Sequence, residues 1–248
     1  ASTAVVSELT LPWEPLGPCS RNTGLVISEI MYHPKHSNDL EFVEIFNAGL
    51  IAENMSGYRI SGDVDYTFPP GTTLPAGGFL VVARKPDLLE RAYGLTGVYG
   101  PWASNSVCTN LIVNGVTTTN LFCTTNVAAL PDSGGTVRLR HRNQDAVMIE
   151  VNYGAEKPWP LAADGAGHSL VLARPSYGPD DVRSWAASEQ IGGSPGRMES
   201  VANEPLRNVV INEFFANSDV PDEDYIELYN YGTTPVNLQG AWLSDDRD

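Results

Sequence analysis

Short apolar runs, separated by turns rich in glycine and proline, set the rhythm of this chain. Residues 25–32 are apolar and β-prone. Residues 41–47 alternate, with Phe42, Glu44 and Phe46 on one side and Val43 and Ile45 on the other, which is the period of a strand. Further strands are predicted over 58–61, after the Ser56-Gly57 turn, and over 66–68, before Pro69-Pro70-Gly71. Residues 79–83 read FLVVA, apolar on both faces, and are expected at the centre of a sheet. Residues 136–141 and 146–153 predict a hairpin through Arg142-Asn143-Gln144-Asp145. The pattern closes on a strand over 168–173. One short helix is predicted over 86–93, with Pro86 in its first turn and Gly94 just past its end. Many short strands with Gly/Pro turns make an all-β chain, and the expected architecture is an antiparallel β-sandwich with one short helix.

The opening of this pattern occurs twice. Glu29 recurs as Glu213, Phe42 as Tyr225, Glu44 as Glu227 and Asn47 as Asn230. Gly49, Asn54, Gly57 and Ser61 meet Gly232, Asn237, Gly240 and Ser244. The spacing is 184 residues ahead of an acidic loop and 183 after it, so one residue is lost in that loop. A period this long implies tandem domains and not a solenoid of short units. Half a module could not cover its own hydrophobic face, so the second copy is expected to be the truncated start of a domain in a longer chain. The expected divisions are 1–24 as a linker or the end of an upstream domain, 25–197 as a sandwich, 198–208 as a linker, and 209–248 as the truncated second copy.

Charge narrows the partners. The chain carries a net charge of −15. Its cations are scattered, apart from Arg138, Arg140 and Arg142, which alternate on one predicted strand and so mark its solvent face. Nucleic acid requires clustered positive charge, and a surface this acidic repels DNA and anionic membranes. No nucleic-acid partner is expected. No apolar run approaches the roughly 18 residues of a membrane span. The expected location is extracellular or at the cell surface.

The three cysteines are Cys19, Cys108 and Cys123. Cys108 and Cys123 flank a stretch with Asn114-Gly115 at its middle, and Asn-Gly between β-prone runs is a strong hairpin signal. A hairpin brings its flanks together, so a Cys108–Cys123 disulfide is expected, alongside two free thiols as the bland alternative.

Candidate chemistry is thin. His33 and His36 lie three apart, but no further ligands lie near in sequence, and solvent-exposed loop histidines are expected. His168 and Ser169 are adjacent on a predicted strand and point to opposite faces, so they make no relay. Glu29, Glu41 and Glu44, recurring as Glu213, Asp224 and Glu227, could serve as a glycosidase pair. Recurrence favours a structural role for them, as hydrogen-bonding or solvent-facing groups. Asp63 and Asp65, recurring as Asp246 and Asp248, are weak calcium candidates. Calcium would need several more oxygens, and turn capping is the commoner use of such aspartates. Trp102, Trp159, Trp185 and Trp242 could stack on carbohydrate, but are more often core in a sandwich. No catalytic residue and no cofactor is expected.

The ordered stretches ISEIMYHP, EFVEIFNAG, SGYRIS, YTFPPGTTLPAGGFLVVA, LPDSGGTVRLRH, EVNYGAEKPWP and ADGAGHSL, closing on SWAASEQIGGSPG, resemble a bacterial lamin-tail domain over about residues 25–196. Residues 107–130 depart from that pattern as an insertion carrying two cysteines. The resemblance implies an immunoglobulin-like sandwich, without assigned catalytic residues, in a large exported protein. The expectation is a non-enzymatic interaction or tethering module, binding a protein or polysaccharide at the cell surface or neighbouring domains of its own chain. The alternatives are a calcium-stabilised adhesion array, and an accessory domain that positions a catalytic neighbour on a polymer.

Overall fold

The computed structural model describes residues 13–102, 104–113, 116–199, 209–216, 224–230, 235–239 and 243, with 104–113 and 116–127 described in backbone only. Two compact units result, one ending at Glu199 and one running from Ser200.

The first unit is built on two antiparallel sheets. β1 (Leu25–Met31) and β2 (Phe42–Asn47) pair directly, as their apolar alternation predicts. β3 (Glu53–Asn54) and β6 (Thr73–Leu74) make a small two-stranded ladder. β4 (Arg59–Gly62) and β5 (Tyr66–Thr67) belong to one larger sheet, and β7 (Phe79–Ala83) belongs to the other. After the helix α1 (Pro86–Tyr93) come β8 (Ser104–Val113) and β9 (Val116–Val127), which pair only with each other. β10 (Gly134–Arg140) and β11 (Val147–Gly154) form the expected second hairpin. β12 (Leu170–Leu172) and β13 (Trp185–Ala187) finish the unit. The sheet orders are β13-β12-β1-β2-β7 and β11-β10-β4-β5.

Alternation along these strands makes the core. Leu25, Ile27, Val43, Ile45 and Leu170 of the five-stranded sheet join Ile60, Val137, Leu139, Ile149 and Val151 of the four-stranded one in a single buried cluster. The first unit is therefore a β-sandwich, with one α-helix among the described residues. The outer face of the five-stranded sheet is covered too. Met31, Phe42, Val81 and Ala83 pack there against Leu89 of α1, with Tyr93 and Leu95 beside them. Proline opens the helix, and Gly94 closes it in the left-handed conformation at φ +67°.

Three expectations change. β7 is not central: it lies at the end of its sheet. It is apolar on both faces because α1 covers the outer one. Its open edge is occupied by Tyr99, whose N–H and C=O bond the backbone of Val81 and Ala83. The 168–173 strand is not the last, since β13 follows and pairs with β12. Part of the stretch read as a linker packs on the sandwich: Leu16 and Cys19 touch the core, and the Glu14 amide donates to Ala173 O at 2.8 Å.

In the second unit, β14 (Val209–Phe215) and β15 (Tyr225–Asn230) pair in the register of β1 and β2. The irregularity between Ile211 and Glu213 repeats the one between Ile27 and Glu29.

Candidate functional site

That irregularity positions the most unusual group of side chains in the molecule. Ile27 faces Ile45 and Glu29 faces Glu44, so Ser28 is the extra residue of a β-bulge. The bulge lets Ser28 Oγ donate to Glu44 Oε1 at 2.7 Å. In the second hairpin Asn212 occupies the same bulge position, and its amide donates to Glu227, the counterpart of Glu44.

Glu29 and Glu44 leave β1 and β2 where the sequence allowed either hydrogen bonding or solvent, and each is only 1% exposed. Residues 188–199 lie over them and supply donors. Glu29 Oε1 accepts from Ser169 Oγ at 2.5 Å and from the Ser194 amide at 2.9 Å. Glu44 Oε2 accepts from the Gly196 amide at 2.6 Å. Ser194 Oγ also donates to Glu199 Oε2 at 2.5 Å. Burial pushes the Glu29 carboxyl up to about 7, against the pull of the Ser169 and Ser194 hydrogen bonds. Burial, and then the charge of Glu29, pushes Glu44 well above the carboxylate range.

Glu41 is buried as well, just ahead of β2. Its Oε1 accepts from Arg84 Nη1 at 2.9 Å and its Oε2 from the Leu130 amide at 2.8 Å. Burial still outweighs both donors and raises it to about 7. All three glutamates therefore hydrogen-bond within the scaffold. Their solvent-facing alternative is corrected, because helix and loop cover the outer face of this sheet. In the second unit Glu213 and Glu227 stand exposed.

The expected solvent-exposed histidine pair divides. His36 is exposed. His33 is half-buried: its Nδ1 lies 2.9 Å from Asp164 Oδ1, and its Nε2 lies 3.9 Å from Asp132 Oδ2. A backbone bridge from His33 to Asp164 docks the 160–166 loop there. His168 and Ser169 do face opposite ways. His168 Nδ1 meets Ser188 O at 2.7 Å, while Ser169 turns to Glu29.

The aspartates have defined partners. Asp65 is ion-paired with Arg59, and Asp63 Oδ2 accepts the Thr136 amide at 2.5 Å. Asp246 and Asp248 lie outside the described residues. Among the described residues, no group of three or more His, Cys, Asp or Glu is arranged to hold a metal ion. Trp102 and Trp185 are core. Trp159 is half-buried against the core, and Trp242 lies outside the described residues. Cys19 is a free thiol that burial pushes up to about 11. Cys108 and Cys123 are directly opposed in the β8–β9 register, and their side chains lie outside the described residues.

Several residues that complete this arrangement carried no signal as chemistry: Arg84, Asp164 and Ser194, while Ser169 stood out only beside His168. The nearest signal was the closing run Gly192-Gly193-Ser194-Pro195-Gly196, legible as a turn but not as a lid on two acids.

An apolar tip stands exposed between two strands of the first unit. Leu50 and Ile51, between β2 and β3, are 97% and 77% exposed. Asn47 holds that turn, its Nδ2 donating to Ile51 O at 2.8 Å and Leu74 O at 3.0 Å, and its Oδ1 accepting from the Gly49 amide at 2.9 Å.

Two antiparallel sheets that share a single core define an immunoglobulin-like sandwich. The family model described as Lamin Tail Domain matches residues 18–155, more than half of the chain, and the protein belongs to that family. Its immunoglobulin-like fold is typically non-catalytic. The match stops ahead of β12, β13 and the segment over Glu29 and Glu44, all of which are bonded into the same unit. Comparisons with curated proteins and with solved structures gave no match.

Proposed function

We propose that this chain is a non-enzymatic interaction and tethering module of a larger exported multidomain protein. Residues 209–248 would open a second module of the same kind. The observation that carries the reading is the state of the repeated acids. Glu29 and Glu44 have the raised carboxyls that an active site would use. But each is 1% exposed, and a substrate cannot reach a general acid roofed by Ser194 and Gly196. The surface offers contact chemistry instead. The Leu50–Ile51 tip is apolar, while the outer face of the four-stranded sheet is a ladder of paired charges, Arg59 with Asp65 and Arg138 with Glu150. The ligand class is a protein or polysaccharide at the cell surface. The location is supported by the acidic charge and by the opposed register of Cys108 and Cys123, which suits the expected disulfide.

The test is a panel of glycoside, ester and nucleic-acid substrates presented to the purified chain and to Glu44→Gln. No turnover by either is expected. Turnover by the parent that the variant lacks would overthrow the reading.

A further inference from the structure

The geometry points to a latch: we propose that residues 188–199 are held over the five-stranded sheet by the neutral form of the Glu29–Glu44 pair and are released when both carboxyls ionise. This is independent of what the module binds.

The two acids are register partners on neighbouring strands, and side chains so placed are within about 5 Å of one another. Both are sealed from water, and both accept hydrogen bonds from the same segment, through the Ser194 and Gly196 amides. Gly193 makes the fit possible. It sits at φ +77°, and a Cβ there would overlap Glu29 Oε1 and Ser169 Oγ. The segment therefore seats directly on the carboxyl groups.

The charges around the pair do not compensate it. Glu29 feels Glu199, while Glu44 feels Glu29 and Glu199, each of which disfavours ionisation. From β1 the remaining facing group is the Ser28 hydroxyl, and from the start of β12 it is the Ser169 hydroxyl. From α1 the titratable group is Tyr93. Its hydroxyl donates to Gly192 O at 2.7 Å, and burial raises it to about 12. Within the segment, the Glu189 amide donates to Glu199 Oε1 and Arg197 turns to Gln190 Oε1 on the exposed side. Two like charges in a dry site repel strongly. Lifting the segment lets water reach them, at the cost of the amide and hydroxyl bonds. In mild acid the segment is closed; as pH rises through the ionisation of the pair, it opens and bares the outer face of β1 and β2.

Hydrogen exchange of the full chain, followed by mass spectrometry from pH 6 to pH 9 and corrected for intrinsic rates, tests this. Protection of the 192–197 amides should fall as pH rises, by up to about a hundredfold per pH unit where opening releases both protons, and should level off once both carboxyls are ionised in the closed form. Protection of the β10 amides should stay higher than that of 192–197 throughout, since the segment opens without global unfolding. In Glu44→Gln, whose amide imitates the neutral acid, only Glu29 remains to ionise, and the fall should shrink to no more than about tenfold per pH unit. If circular dichroism shows that variant unfolded, Glu29→Gln serves in its place. Flat protection in the parent, an equal fall in the Gln variant, or protection of 192–197 as high as that of β10 would each overturn the latch.

Discussion

Gly193 rests against the carboxylate of Glu29, at a backbone angle of φ +77° and with no room for a methyl group. Gly193→Ala therefore meets two penalties, a left-handed conformation costing about 1–2 kcal/mol and overpacking costing roughly 1–3 kcal/mol. Gly71 is the control, since it also has positive φ (+87°) but nothing within 4 Å of its missing Cβ. Gly71→Ala should incur the first penalty alone. Urea unfolding of the two variants should separate them by on the order of 2 kcal/mol, and equal losses would show that the segment yields freely.

Glu41 and Arg84 predict a pH-dependent loss. The folded carboxyl lies at about 7 and its ordinary value is 4.5, so folding favours the protonated form. Its contribution to stability is complete below 4.5 and drains away as pH rises through 7. Glu29 and Glu44 act in the same sense. Asp181 acts oppositely: the Arg183 hydrogen bond lowers it to about 2, so its contribution is lost as pH falls below its ordinary 3.8, and its exposure keeps that term small. The urea midpoint should therefore peak near pH 5 and decline towards pH 8. Arg84→Met leaves the buried Glu41 charge uncompensated and should cost about 3–5 kcal/mol at pH 8, and clearly less at pH 5. A loss independent of pH would place the role of Arg84 in packing.

The sequence carried the strands whose alternation meets a single core. It also carried the helix, because Pro86 and Gly94 mark its ends. It did not carry the burial of Glu44. Alternation assigns Phe42, Glu44 and Phe46 to one face, and whether that face is dry depends on what crosses it later. Here α1 covers one part, and a segment some 150 residues downstream covers the other through backbone amides, as Gly196 does for Glu44. Backbone donors have no residue signature. β7 was misplaced for a related reason: a strand apolar on both faces reads as central, whether a strand or the Tyr99 segment occupies its edge.

Asp65 is engaged by Arg59 and Asp63 by the Thr136 amide, so neither is a free oxygen donor for calcium. Thermal melts in millimolar calcium and in excess chelator should coincide. A midpoint raised by calcium would reinstate the calcium-stabilised array and would point to ligands beyond these two aspartates.

Cys108 and Cys123 are opposed in an antiparallel pair. Directly opposed residues in such pairs have Cα atoms about 4.5–5.5 Å apart, inside the range that a disulfide spans. The protein denatured without reductant should titrate with one thiol, that of Cys19. Reduction should cost the β8–β9 hairpin on the order of 3 kcal/mol. Three titrating thiols would remove the bridge, and with it one support for an oxidising location.

The Leu50–Ile51 tip and its anchor Asn47 should separate surface from scaffold. Leu50→Ser with Ile51→Ser changes side chains that are almost fully exposed, so stability should shift by less than about 0.5 kcal/mol. Asn47→Ala removes two donated hydrogen bonds and one accepted one at a site that is 3% exposed. It leaves the Leu74 carbonyl without that partner, and should cost about 2–3 kcal/mol in a urea titration. If the double serine variant proved as damaging as Asn47→Ala, the tip would be packing against its own module and could not be the apolar contact surface. If it melts with the parent, its two side chains are free for a partner, in a turn that the buried Asn47 amide holds in place.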